Sequence, residues 1–383
     1  MNKLATIALF AIILSSCTGE PAGEEGADST EPIKIGFIGP LTGDAAAFGS
    51  DAINGAKIAV EEINAEGGIN GRQISIIAED ARCTGGDAVS AAQKLINIDK
   101  VDVIAGGQCS GETLAAAPVA EAAQIVIMSA VSSSPDITNA GDFVFRVYPS
   151  DALKGAALAN YFDSKGYTKI AMISENTDFC IGVQNVISES TAKSGGEMVF
   201  NELVEPGTKD YRSLMTRLKD IDFDVFLVNS QSDSTGGAMV QQMRELGMEN
   251  EIVGTDTLDS ITLGQVMGEA MEGVKVLSVP SLSASDPKGG PFVQKFTEKY
   301  GNAQQSTFFA ALSYESIRVL IDVMNKVGTD GPAMRDALYG HTGYDSIVGT
   351  ITFDEFGDVE GIPYALKEFQ DGELVEVERI PLN

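Results

Sequence analysis

Apolar runs typical of β-strands alternate with amphipathic helical stretches along most of this chain, and this alternation constrains the fold most strongly. The first run covers residues 33–38, and a helical stretch over 51–65 follows it. Strands separated by helices of this length indicate βαβ units, whose strands form parallel sheets. After the run at 143–147 the pattern restarts, with strands predicted at 169–173 and 224–228. The sequence therefore predicts two doubly wound α/β sheets.

The length of the chain, 383 residues, exceeds that of a typical single domain. Residues 143–151 and 274–283 are predicted to cross between two lobes, and residues 351–358 are predicted to form a hairpin or a third crossing. We therefore expect two Rossmann-like lobes joined by a three-strand hinge, with a ligand cleft between their strand ends. The predicted lobes comprise residues 33–148 with 281–352, and residues 149–280 with 353–383.

The N-terminal segment has the features of an export signal. Lys3 precedes an apolar run over 4–14, and Leu-Ser-Ser-Cys ending at Cys17 matches a bacterial lipobox. We predict that residues 1–16 are a lipoprotein signal peptide and that the thiol of Cys17 carries lipid, an ordinary signal peptide being the alternative. Residues 17–32 then form a disordered tether, because they are rich in Gly, Pro and acid. The sequence predicts an exported, membrane-anchored protein in the periplasm or at the cell surface.

Composition argues against several classes of function. The formal net charge of −29 disfavours nucleic-acid binding and electrostatic adhesion to anionic lipid. The single histidine, His341, provides no His cluster for a metal and no base for a serine nucleophile. The chain has neither Gly-x-Gly-x-x-Gly spacing nor a Gly-Lys-Ser or Gly-Lys-Thr phosphate loop. We therefore predict a protein that is not an enzyme and uses no metal or cofactor.

Two loops rich in hydroxyl groups and backbone amides follow neighbouring strands. The first, Gly-Gly-Gln-Cys-Ser-Gly at 106–111, places Ser110 at the predicted N-cap of a helix. The second contains the run 132–134, three successive serines. Unpaired amides and the helix dipole favour anions at such a position. The loops predict a carboxylate site, although serines also occur as ordinary cap and loop residues.

The cysteines fit an oxidising compartment. Cys83 and Cys109 each follow a strand in neighbouring βα units and are predicted to form a disulfide. Cys180 is then left over, although spacing alone does not exclude it as a partner.

Several segments together resemble a known family, the type I periplasmic binding proteins of the branched-chain amino acid (leucine-isoleucine-valine) transport group, over residues 33–383. They are residues 35–43, 54–56, 63–71, 129–138, 210–214 and 353–358, with the Cys83 and Cys109 pair. The resemblance implies a monomeric solute-binding component of an ABC importer, which closes on an amino acid and presents it to a membrane permease. The alternatives are a ligand sensor of the same fold, or a binder of an amide, urea or an aromatic acid.

The resemblance also implies roles for particular residues. Positions matching Ser110 and Ser133, with backbone atoms around Ser132, hold the carboxylate of the amino acid. The acid matching Asp256 pairs with the α-ammonium group. Asp256 follows a strand predicted at 251–253 in the second lobe, so it is expected opposite the serines.

The predicted side-chain pocket departs from the best-known family members. Phe48 matches a position whose ring covers the ligand, and Phe309 is expected near another wall, although both could be core residues. Phe179 stands where a tyrosine is common. The polar run 229–233, which includes Gln231, replaces an aromatic-rich stretch. We therefore expect a pocket that does not suit leucine.

Overall fold

The computed structural model describes residues 31–380, which form two large β-sheets, one small sheet and the helices that cover them. The predicted signal peptide, Cys17 and nearly all of the tether lie outside the described residues. The strands are β1 Ile33–Gly39, β2 Ile74–Asp80, β3 Val103–Gly106, β4 Ile127–Ser129, β5 Val144–Arg146, β6 Lys169–Glu175, β7 Glu197–Val204, β8 Val225–Asn229, β9 Glu251–Gly254, β10 Lys275–Ser278, β11 Tyr344–Ser346, β12 Gly349–Phe353, β13 Val359–Glu360, β14 Tyr364–Gln370 and β15 Glu373–Ile380.

Eleven α-helices connect and cover these strands within residues 31–380. They are α1 Ala46–Ala65, α2 Gly85–Lys94, α3 Ser110–Ala123, α4 Asp151–Lys165, α5 Asp178–Lys193, α6 Arg212–Lys219, α7 Asp233–Glu245, α8 Ile261–Met267, α9 Gly290–Tyr300, α10 Thr307–Val327 and α11 Gly331–Tyr339. None of the helices in this part of the chain combines the length and the apolar character needed to cross a membrane.

The two large sheets confirm the predicted α/β fold of two doubly wound lobes. The first has the order β2-β1-β3-β4-β5 and is parallel throughout. The second has the order β15-β14-β10-β9-β8-β6-β7. Its strands β6 to β10 are parallel, whereas β14 and β15 join antiparallel. The second sheet is therefore mixed. The predicted boundaries of the two lobes remain a prediction.

The buried strands explain why the apolar runs indicated parallel sheets. All residues of β3 and β8 are buried, as expected for strands covered by helices on both faces. Helix α10 crosses α1 at Gly55, where an added Cβ would lie 2.0 Å from the Ala310 carbonyl oxygen. A glycine is thus required at this crossing, within one of the segments that carry the family resemblance.

Two local boundaries differ from the predictions. Helix α1 begins at Ala46 rather than at residue 51. Helix α3 begins at Ser110, so its N-cap is Cys109 and not the predicted Ser110. The reason is Glu112, whose carboxylate accepts the backbone N–H of Cys109 at 3.0 Å and so closes a capping box one residue earlier.

The late segment at 351–358 is a hairpin, in which β12 pairs antiparallel with β13. A buried ion pair ties this hairpin to the end of β5. Arg146 Nε lies 2.6 Å from Asp358 Oδ1, and Nη2 lies 2.7 Å from Oδ2. The same guanidinium donates through Nη1 to the Ser134 carbonyl at 2.8 Å. One fully buried side chain therefore joins two predicted hinge segments to the serine-rich loop.

Candidate ligand-binding site

A cleft lies between the loops of the first sheet and those of the second, a common place for a ligand site in such folds. Seven predicted ligand-binding residues line it: Phe48, Ser110, Ser133, Phe179, Gln231, Asp256 and Phe309. The other lining residues are Asp44, Ala45, Gln108, Cys109, Val131, Ser232, Asp233, Thr257 and Gln305. The eighth predicted residue, Ser132, does not line the cleft.

Ser110 and the serine-rich loop form a cradle of donors on the first-lobe side. The Ser110 hydroxyl oxygen accepts hydrogen bonds from the backbone N–H groups of Ser133 at 3.3 Å and Ser134 at 3.1 Å. Its hydroxyl proton then remains to donate elsewhere. Because Ser110 is the first residue of α3, the helix dipole also favours negative charge here.

Ser132 supports this loop through hydrogen bonds on the side away from the cleft. Its hydroxyl donates to the Gly107 carbonyl at 2.7 Å and lies 2.7 Å from Thr113 Oγ1. Its backbone N–H donates to the Ser129 hydroxyl at 3.0 Å. The side chain is fully occupied away from the cleft, so the structure gives Ser132 a supporting position.

Asp256 faces the cradle from the second-lobe side, in a short 3-10 turn directly after β9. Both of its carboxylate oxygens already have protein partners. Lys154 Nζ donates to Oδ1 at 2.9 Å, and the Tyr148 hydroxyl donates to Oδ2 at 2.6 Å. Burial and the Asp256 charge raise the pKa of Tyr148 well above its ordinary value, so this phenol stays a donor.

Lys154 has a second acidic neighbour. Its Nζ lies 2.6 Å from Asp151 Oδ1, an ion pair without hydrogen-bond geometry. Burial works against the charge of Lys154, but Asp151 and Asp256 outweigh it and raise the pKa of the ammonium group. Burial raises the pKa of Asp151, although Lys154 opposes this. Two carboxylates and one ammonium leave one net negative charge at the cleft wall when all three are ionised.

Sequence reasoning missed both partners of Asp256. Lys154 lies in the first turns of α4, where a lysine ordinarily indicates a solvent-facing position, yet its side chain is fully buried. Tyr148 lies in a crossing segment and shows no periodicity. Gln108 was also missed, although it could have been predicted because it belongs to the Gly-rich loop that carries Ser110.

Aromatic rings form the apolar part of the wall. Phe48 and Phe309 meet edge to face with centroids 5.7 Å apart. Lys154 Nζ lies 5.2 Å from the centroid of Phe179, a favourable cation–π distance. These rings come from both lobes and face the same cleft.

The predicted disulfide between Cys83 and Cys109 is present, and Cys180 is a buried free cysteine. Glu112 lies beside the disulfide and accepts the backbone N–H groups of Cys83, Gln108 and Cys109. Burial raises the pKa of Glu112 to about 7, although these hydrogen bonds oppose the shift. The two sulfurs and the carboxylate are close enough to suggest a metal site, but a disulfide offers no thiolate ligand.

The lobes meet across the mouth of the cleft. Asp44 of the first lobe and Lys209 of the second form an exposed ion pair at 3.2 Å. At Gly111, the second residue of α3, an added Cβ would lie 2.7 Å from the Asp178 carboxylate at the start of α5. The cleft is therefore nearly closed in this structure.

The family model for periplasmic binding proteins matches residues 32–361. The chain belongs to the periplasmic binding protein family. Its members are solute-binding components of transport, so membership confirms the predicted binding protein and the prediction that it is not an enzyme. It also supports a location outside the cytoplasm.

This periplasmic binding protein is similar to the Leu/Ile/Val-binding protein of Escherichia coli (strain K12), with 27% identity covering 88% of this chain and 90% of that protein. A leucine-, isoleucine-, valine-, threonine- and alanine-binding protein of Pseudomonas aeruginosa is 26% identical, covering 91% and 93%. Among solved structures, LivJ of Streptococcus pneumoniae in complex with isoleucine has a TM-score of 0.83 at 28% identity, covering 91% of this chain and 99% of LivJ. These likenesses confirm the type I fold and the branched-chain amino acid group.

Proposed function

We propose that this protein is the extracytoplasmic solute-binding component of an ABC importer and that it binds an amino acid, branched-chain or related, by hinge closure. One observation carries this proposal. The donor cradle at Ser110 lies in one lobe, and the Asp256 carboxylate faces the same cleft from the other. A zwitterion would present its carboxylate to the cradle and its ammonium group to Asp256, so both groups would be bound only when the lobes meet.

The carboxylate end would be held by neutral donors. Ser110 and Ser133 line the cleft, and no cationic side chain is among the lining residues. Such donors, fixed before the ligand arrives, bind a carboxylate at little entropic cost. The helix dipole adds to this attraction.

The ammonium end would be held by Asp256. Lys154 occupies one lone-pair site on Oδ1 of Asp256, and Tyr148 occupies one on Oδ2. Because a carboxylate offers about four such sites, two remain for a ligand. When all three groups are ionised, the cluster of Asp151, Lys154 and Asp256 has one excess negative charge. A ligand ammonium would neutralise that charge, and this differential attraction favours the closed form.

We also propose a membrane anchor and a permease partner for this protein. The predicted lipid on Cys17 would hold the protein at the membrane, with the tether leaving the lobes free to reach a permease. We propose that a monomer delivers the ligand, because the site is complete within one chain. A sensor would use the same closure but would need a receptor partner, and genes for a permease and an ATPase beside this one would favour transport.

A second candidate ligand is an acid without an amine, such as an aromatic acid. The favouring observation is that Lys154 already provides a cation to Asp256. A calorimetric comparison separates the two candidates: each amino acid is titrated beside its 2-oxo acid and its decarboxylated amine. Binding of the amino acid alone supports the zwitterion, whereas equal binding of the 2-oxo acid supports the second candidate.

The decisive variant is Asp256→Ala. Lys154 keeps Asp151 as its partner, so we expect the variant to fold. Losing a desolvated charge partner should weaken amino-acid binding by roughly 30-fold or more. Asp222→Ala, at a carboxylate that is 86% exposed, is the matched control and should bind as the wild type does. Amino-acid affinity in Asp256→Ala within a factor of about three of the wild type would remove Asp256 from the site.

A further inference from the structure

Three glutamine side chains face the cleft beyond the groups that would hold an amino-acid head. Gln108 belongs to the loop before α3, Gln231 to the loop after β8, and Gln305 to the segment before α10. Each side-chain amide offers one acceptor and two donors. Within residues 31–380, none of the three side-chain amides forms a hydrogen bond with protein.

Gln108 and Gln305 are also deeply buried. Gln108 is 2% exposed and its Oε1 has no partner in the described part of the chain, while Gln305 is 5% exposed. Buried polar groups in proteins are nearly always paired. An unpaired amide held at a ligand cleft therefore indicates a partner that arrives with the ligand.

The backbone N–H group of each of these glutamines is bound by a carboxylate. The carboxylate of Asp51 accepts the backbone N–H of Gln305 at 2.9 Å, and that of Glu175 accepts the backbone N–H of Gln231 at 2.6 Å. The backbone N–H of Gln108 is bound by Glu112 at 3.0 Å. The main chain of each glutamine is thus held by a carboxylate, while its side-chain amide has no protein partner within residues 31–380.

Other polar groups of the wall have internal partners. Asp233 accepts the Ser260 hydroxyl at 2.7 Å, and Thr257 donates to the Ser230 carbonyl at 2.8 Å. Asp256 is bound as described above. Among the uncharged polar side chains of the wall outside the serine cradle, the three glutamines are therefore the ones without a protein partner in the described part of the chain.

We propose that the preferred ligand is an amino acid whose side chain carries an uncharged hydrogen-bonding group, a hydroxyl or an amide, and that Gln108, Gln231 and Gln305 select it. This inference rests on the proposed function, because it assumes that the cradle and Asp256 hold the amino-acid head. An aliphatic side chain would close the cleft on amides without partners. A site built to hydrogen-bond its ligand rejects an analogue that lacks the group.

The test compares ligands of nearly equal shape, threonine with valine and asparagine with leucine, by calorimetry on the purified protein after unfolding and refolding remove bound solute. We expect the polar member of at least one pair to bind roughly tenfold or more tightly than its aliphatic partner. Gln108→Met and Gln231→Leu should each reduce that ratio toward one. Gln241→Leu is the control, because Gln241 is exposed on α7 and pairs with Glu245.

The outcomes separate this inference from the function on which it rests. If valine and leucine bind as tightly as their polar partners, the inference is overturned and amino-acid binding stands. A ratio unchanged in both cleft variants also overturns the role of the glutamines. If no amino acid binds while acids without an amine do, the proposed function itself fails, and the inference fails with it.

Discussion

Replacing Lys154 with methionine tests the buried charge cluster most directly, because the change removes a charge while nearly keeping the volume. In the wild type, the ammonium group lies 2.6 Å from Asp151 and 2.9 Å from Asp256. At an effective dielectric constant of about 20, these two contacts represent roughly 12 kcal/mol of attraction. Desolvation of the three ions offsets much of this, at several kcal/mol for each.

The net cost of the substitution follows from what it leaves behind. Two buried carboxylates lose their cation, and breaking a buried pair typically costs about 3–5 kcal/mol. Because the whole free energy of unfolding of a protein is about 5–15 kcal/mol, Lys154→Met should lose roughly a fifth of it or more. Urea unfolding followed by circular dichroism measures this loss.

The loss of free energy of unfolding in Lys154→Met should change with pH in one direction. Burial already raises the pKa of Asp151, and removing Lys154 removes the charge that opposes this. An acid whose pKa is raised by folding takes up a proton on folding, so its stability contribution declines as pH rises above the unfolded value of about 3.9. The deficit of Lys154→Met should therefore be smaller at about pH 5 than at about pH 8.

A matched control lies on the same helix. Lys165 ends α4 and is exposed, so Lys165→Met should change the free energy of unfolding by no more than about 0.5 kcal/mol. If Lys154→Met costs less than about 1 kcal/mol at neutral pH, or if its deficit grows as pH falls, the reasoning about the cluster is refuted.

Three further predictions concern the first lobe and the cleft mouth. Replacing Cys83 and Cys109 together with serine should lower the free energy of unfolding by about 3.5 kcal/mol, from the loss of a crosslink across 26 residues; an unchanged urea midpoint would contradict this. Glu112 has a pKa of about 7 in the folded protein against 4.5 ordinarily. Its ionisation should therefore lower the free energy of unfolding of the wild type by up to about 3 kcal/mol as pH rises between those two values. Glu112→Gln should flatten that part of the stability profile measured by urea unfolding. Lys209→Ala removes only the exposed pair with Asp44, so calorimetry should find ligand affinity reduced less than about fivefold, and less still at high salt.

The fold was predictable because its information is local. Each strand of the parallel sheets is a short apolar run, and each helix has an amphipathic period, so the alternation was visible along the chain. The antiparallel addition of β14 and β15 was not predicted. Their joining to β10 is a long-range pairing that no local pattern contains.

The site was predictable where its residues are grouped in sequence. Ser110 and Ser133 lie in two short loops that follow adjacent strands, and the structure brings these loops together. Lys154 was missed because its neighbour Asp256 is 102 residues away. Only tertiary packing makes that lysine a buried cation instead of a solvated one.

The guanidinium of Arg146 has a consequence for the sequence of events in binding. It holds the hairpin through Asp358 and the serine-rich loop through the Ser134 carbonyl. The donor cradle is thus braced by the hairpin through one guanidinium. We expect the acidic end of a ligand to meet this braced loop, and its opposite end to be bound at Asp256 as the lobes close.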